Sequence, residues 1–124
     1  MNKLAGIKLT EKNSQFFSYL YSIDNPDEIN HILKEHRKKY KKANHHCYAL
    51  LYNKDNTFKE MAKDDGEVGH PGRVLLTLLE KYNLNHHVLI VSRIFGGIKL
   101  GVGGVSRAFK ESGELVLTQY QKTK

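Results

Sequence analysis

Apolar and polar positions follow two periods along this chain, and their alternation outlines a small set of elements. Gln15 to Ile23 (QFFSYLYSI) is rich in aromatic and β-branched residues and is followed by turn formers, which predicts a strand. Asp24-Asn25-Pro26 then signals a helix start, with Asp24 or Asn25 as N-cap and Pro26 at the first helical position. Ile29, Ile32, Leu33 and His36 recur at spacings of three and four, so one face of that helix is expected to be buried. The helix runs into Arg37-Lys38-Lys39-Tyr40-Lys41-Lys42, where cations suit the negative end of the helix dipole. His46 to Tyr52 reads as a second strand, Lys54-Asp55-Asn56 as a turn and Thr57 to Ala62 as a short third strand.

A loop rich in Gly, Asp and Pro follows from Lys63 to Gly72. Arg73 to Tyr82 is an apolar helix with Val74, Leu75, Leu78 and Leu79 on one side. His87 to Ser92 is the most hydrophobic strand and is expected at the centre of the sheet. Arg93 to Gly104 reads as a second, glycine-rich loop, and Val105 to Thr118 as a final helix that buries Val105, Ala108, Phe109, Leu115 and Val116 despite Gly113. The expected domain spans residues 14–118. Residues 1–13 form an N-terminal extension, frayed or bound to an edge, and residues 119–124 a disordered tail.

With 124 residues the chain fits one domain able to build a core without disulfides or a structural metal. Its single cysteine, Cys47, excludes an internal disulfide. The absence of a signal-like segment or of about 18 consecutive apolar residues makes a cytoplasmic location, away from membranes, the expectation. The net charge of +7 favours anionic partners such as RNA, DNA or phosphorylated metabolites, although a solvated lysine-rich surface gives the same number.

Three places carry candidate chemistry. Gly96, Gly97, Gly101, Gly103 and Gly104 fall within nine residues and are flanked by Arg93, Lys99 and Arg107. A loop that leaves a buried strand and enters a helix presents outward-facing amides and cations, which is the chemistry of a phosphate or RNA-backbone site; a tight crossover alone would also require glycine. Neither a Walker A loop nor a Rossmann fingerprint matches. Asp64, Asp65 and Glu67 cluster in the polar loop, where they can bind a metal, act as acid and base, cap the helix that follows, or pair with Arg93 or Arg107. His45, His46 and Cys47 lack the spacing and partners of a zinc site, so no metal and no cofactor is expected. His45 and Cys47 share one strand face, which leaves a nucleophilic pair as a further alternative.

These pieces resemble a known family in their order. Ala43-Asn44-His45-His46-Cys47-Tyr48-Ala49 is similar to its Ala-Thr-His-x-Cys-Tyr-Ala segment, and Asp64-Asp65-Gly66-Glu67 to its Asp-Asp-Gly-Glu-Pro loop. The run from Arg93 to Ala108 (RIFGGIKLGVGGVSRA) is similar to the signature Arg-Tyr-Phe-Gly-Gly-x-Lys-Leu-Gly-x-Gly-Gly-Leu-x-Arg-Ala of the IMPACT/YigZ family. The resemblance covers roughly residues 14–117. It implies an α+β fold: a mixed four-stranded sheet with helices packed on one face, in a left-handed βαβ arrangement like that of ribonuclease PH and a small-subunit ribosomal protein domain. Eukaryotic members restrain activation of an amino-acid-starvation kinase through an extra N-terminal RWD domain, and bacterial members add a ferredoxin-like domain; neither fits in this chain. Val68-Gly69-His70-Pro71-Gly72 also departs from the family's small-residue run and is one residue shorter.

Three functions therefore stand as expectations. One is a translation-associated or regulatory module that contacts RNA, a ribonucleoprotein or another phosphate-bearing ligand through Arg93, Gly96, Gly97, Lys99, Gly101, Gly103, Gly104 and Arg107. The second is an enzyme on a phosphorylated small molecule or nucleotide, with His45, Asp64, Asp65 and Glu67 as candidate catalytic groups. The third is a protein-interaction domain regulating translation or a stress response.

Overall fold

The computed structural model describes residues 1–124. Strands β1 (Asn2–Glu11) and β2 (Ser14–Ser22) form a hairpin, followed by α1 (Glu28–Lys39). A second hairpin, β3 (His45–Lys54) and β4 (Thr57–Lys63), leads to α2 (Pro71–Lys81), then β5 (His87–Ile94) and α3 (Gly101–Lys122). Both hairpins turn on two consecutive residues of positive φ, Lys12-Asn13 and Asp55-Asn56. Those angles match the right-handed twist of the flanking strands, and Asn and Asp tolerate them.

The sheet has five strands in the order β1-β2-β5-β3-β4, and every pairing is antiparallel. This corrects the expected mixed sheet of four. The fifth strand is the N-terminal segment, bound at the edge, where Leu4, Ile7 and Leu9 pack against the core while its lysines stay in solvent. Strand β5, buried from Val88 to Arg93, is central, as its hydrophobicity requires.

Alternation along the strands feeds two apolar layers. Phe16, Leu20, Cys47, Ala49, Leu89 and Val91 face α2 and α3, which pack together on that side. Phe109 of α3 meets Phe16 edge to face at 5.3 Å. Tyr21, Tyr48, Leu50, Val88 and Ile90 point to the opposite side, where α1 covers them with Ile29, Ile32 and Leu33. Helix α1 buries the four residues its spacing predicts, but it starts at Glu28 because the Asn25 side chain first accepts the Asp27 amide in a turn.

Helix α3 differs most from expectation. It starts at Gly101, inside the glycine run, and continues to Lys122 through the expected tail, because Val116 and Leu117 are buried and Tyr120 packs onto the core. Its buried face carries Ser112 and Gly113, and Leu115 is exposed. Gly113 sits where Leu75 and Leu78 of α2 come so close that a Cβ would meet Leu78 at 2.7 Å. The residue that weakens the helix locally is what lets α2 and α3 approach.

Under α1 lies a buried polar network. The Ser92 hydroxyl bridges His36 Nδ1 (2.9 Å) and His46 Nδ1 (2.7 Å), and His36 Nε2 meets the Tyr21 hydroxyl at 3.3 Å. A hydroxyl donates once, so at least one imidazole donates to it. Burial lowers the His36 pKa to about 3, helped by His46, Lys39 and Lys3, and burial also lowers that of His46. Both histidines are thus neutral when folded and take up protons on unfolding. The contribution of these two histidines to stability is expected to be constant above pH 6.5 and to fall as pH drops below it, His36 alone giving a slope approaching about 1.4 kcal/mol per pH unit. Urea unfolding of the wild type and His36→Gln between pH 7 and 4.5 checks this: the variant loses stability at pH 7 but shows the shallower decline.

Candidate functional site

The polar loop after β4 and the glycine segment after β5 converge at one end of the sheet, because β3, which lies between their parent strands, pairs with both β4 and β5. Between them lies a cleft of about 440 Å³. Its polar lining is Asn44, His45, Arg93 and Lys99; its apolar lining is Val68, Phe95, Leu100, Val102 and Val105.

The carboxylates of the polar loop are engaged in holding it down. The Gly72 amide donates to Asp64 Oδ1 at 2.8 Å, which caps the start of α2. The His46 amide donates to Asp65 Oδ2 at 2.7 Å, and Cys47 donates its thiol proton to the Asp64 carbonyl at 3.1 Å. Burial, reinforced by Glu67, Asp65 and Asp64, pushes the Cys47 thiol far above its ordinary range, so the nucleophilic alternative loses its thiolate. Glu67 pairs with Arg93 at 2.9 Å, both side chains over nine-tenths buried. Of the four roles open to these acids, capping and pairing are those the geometry displays.

His45 donates Nδ1–H to the Asp65 carbonyl at 2.8 Å, and its Nε2 lies 3.7 Å from Glu67. Four of the sequence-predicted residues, His45, Asp65, Glu67 and Arg93, thus meet in one place. His46 lies on the opposite face with Ser92.

Three cations flank the glycine segment, and the structure gives them different environments. Arg93 is held between the Phe16 and Phe95 rings, 5.5 and 5.7 Å from their centroids, and bonds Glu67 and the Ser14 hydroxyl while its Nε–H has no partner. Lys99 is exposed on the cleft and makes no ion pair. Arg107 is exposed too, but lines an adjacent hollow with Glu11, Lys12, Gly104 and Glu111 instead of the cleft.

The segment itself is shorter than expected, because Gly101, Gly103 and Gly104 belong to the first turn of α3. The Phe95 amide donates to Asn44 Oδ1 and the Gly96 amide to the Ser14 hydroxyl. The amides of Gly97, Ile98, Lys99 and Leu100 have no acceptor within the chain. Those of Gly101 to Gly103 open a helix whose N-cap, Leu100, provides no side-chain acceptor. Gly97 and Gly101 take positive φ, 92° and 73°, which turns the chain between these amides.

The sequence reading did not single out the apolar rim. Val68, Phe95, Ile98 and Val102 are exposed, and they are four of the six large hydrophobic residues exposed anywhere in the chain. The signal was present in Ile98, Leu100 and Val102, apolar residues interleaved with glycine where a merely solvated loop would be polar.

Residues 12–117 match the family model described as the Impact N-terminal domain. The chain is 34% identical over 102 residues to IMPACT family member YvyE of Bacillus subtilis, which covers 82% of this chain and 46% of that protein. It is 37% identical over 100 residues to Protein IMPACT of Homo sapiens, covering 77% of this chain and 31% of the human protein. It thus spans half or less of the length of these curated relatives. A solved structure described only as a hypothetical protein superposes with a TM-score of 0.81 at 26% identity, over 93% of this chain and 57% of the other. That of the two-domain translational regulator Yih1 gives a TM-score of 0.63 at 20% identity, over 95% of this chain and 46% of the other, a likeness of fold. With its signature segments assembled around one cleft and the family model matched over most of its length, the chain belongs to the Impact N-terminal domain family.

Proposed function

We propose that this chain is a translation-associated regulatory binding module that works by holding a single anionic group of its partner in the cleft beside Lys99. The observation that carries this reading is the run of unpaired amides from Gly97 to the first turn of α3, beside an exposed lysine and an apolar wall. Such amides and the helix dipole favour an anion where they converge. The regulatory part of the reading draws on family membership and on a protein of the same fold described as a translational regulator.

Charge counting narrows the RNA or phosphate contact expected from the sequence. Glu67 neutralises Arg93, Arg107 lies outside the cleft, and Asp64 and Asp65 stand close by. Lys99 is the one uncompensated cation lining the cleft. One cation and a set of amides match one anionic group better than a run of backbone phosphates.

Inorganic phosphate, added at constant ionic strength against chloride, is expected to raise the wild-type melting temperature. Lys99→Ala should lose most of that rise and Arg107→Ala keep it. Any binding of a single-stranded RNA should show a salt slope near −0.7, that of one phosphate contact. An unaltered phosphate effect in Lys99→Ala, or none in the wild type, contradicts the reading.

Structural and binding cations separate in the same variants. Arg93→Ala strands a buried carboxylate and is expected to cost about 3–5 kcal/mol in urea unfolding. Lys99→Ala is expected to stay within about 0.5 kcal/mol of wild type.

A further inference from the structure

The apolar rim and the open amides belong to the same few residues. Leu100 and Val102 line the cleft with their side chains, while their own amides and those of their neighbours lack acceptors. An occupant that satisfies both must carry an anionic oxygen pair and an apolar group within a few ångströms of each other. The terminal residue of a polypeptide does so, since its α-carboxylate and its side chain share one Cα. We propose that the cleft captures the free C-terminus of a protein partner whose last residue is aliphatic, the carboxylate on the unpaired amides of the cleft-lining residues Lys99 to Val102 and the side chain among Val68, Leu100, Val102 and Val105.

Charge and shape favour this occupant over a nucleotide. The cleft offers one uncompensated cation, which suits a monoanion better than a phosphate dianion. The two rings in its lining are both engaged, Phe95 against the Arg93 guanidinium and the His45 imidazole bonded to the Asp65 carbonyl beside Glu67; the other apolar walls are aliphatic, and aliphatic walls do not stack bases. Carboxylate capture by successive backbone amides is an established form of peptide recognition. Arg93, more than nine-tenths buried in the cleft wall, has one guanidinium donor, Nε–H, that the protein leaves without a partner. The side-chain pocket also sets a specificity: Val or Leu fits its aliphatic wall, whereas a terminal Lys or Asp would be desolvated without a partner.

The inference rests on the anion-holding reading above, and one titration series separates the two. Fluorescein-labelled hexapeptides ending in Val, Gly or Lys, as free acids or C-terminal amides, are titrated with the full chain and followed by polarisation. The expected result is saturable binding of the Val free acid, at least tenfold weaker for its amide and for the Gly and Lys peptides. Val102→Asp should abolish it. Val102 is exposed in the first turn of α3, where an acid suits the dipole, so the fold should survive, as circular dichroism would verify. If phosphate stabilises the chain through Lys99 but the Val free acid binds no better than its amide or the Gly peptide, the inference fails and the anion-holding reading stands. If an internal phosphoserine peptide or a single-stranded RNA binds tenfold more tightly than the Val free acid, the partner assignment is overturned. If neither phosphate nor any free acid binds, both readings fall.

Discussion

Burying Arg93 beneath Glu67 decides what this domain can do. Arg93 lies near the end of the central strand with its side chain more than nine-tenths buried, so its guanidinium needs an acid and aromatic faces nearby. Glu67 meets it from the polar loop and thereby ties that loop to the sheet. A buried pair of this kind offsets its own desolvation only when the remaining donors are met. Ser14 meets one and Nε stays unmet. The pair closes one wall of the cleft and removes the most prominent cation of the signature segment from the charge available to a partner.

Around that anchor the division of labour is physical. Asp64 and Asp65 bind backbone amides, which fixes the loop against β3 and the start of α2. Ser14 and Asn44 satisfy the amides of Gly96 and Phe95, so the next stretch leaves the sheet at a fixed point. Beyond it, the amides from Gly97 to Leu100 have no internal acceptors, and the apolar side chains of Ile98 and Val102 are exposed there beside Lys99. Large hydrophobic groups exposed next to amides that only water meets form a surface suited to a partner that covers both.

Much of this was legible in the chain. The aromatic and β-branched run of β2, the continuous apolar runs of β3 and β5 and the three-four spacing of α1 place those elements within a few residues, because each buries apolar side chains along most of its length. The N-terminal strand was harder, since an edge strand buries little and its lysines obscure Leu4, Ile7 and Leu9. The start of α3 was hidden by glycines, which oppose helix locally by up to about 1 kcal/mol each and are overruled by the packing of the turns that follow. In the site, the sequence named the residue types and the two loops that meet. It could not distinguish a neutralised arginine from a free lysine, nor separate Arg107 from the cleft, because both depend on which strand neighbours which.

The most direct test is to watch the amides themselves. In a 15N–1H correlation spectrum titrated with acetate at constant ionic strength, the account predicts saturable downfield shifts confined to the amides of Gly97 through Gly103, lost in Lys99→Ala. Shifts that do not saturate, that scatter over the lysine-rich surface, or that spare this segment while appearing elsewhere would contradict it.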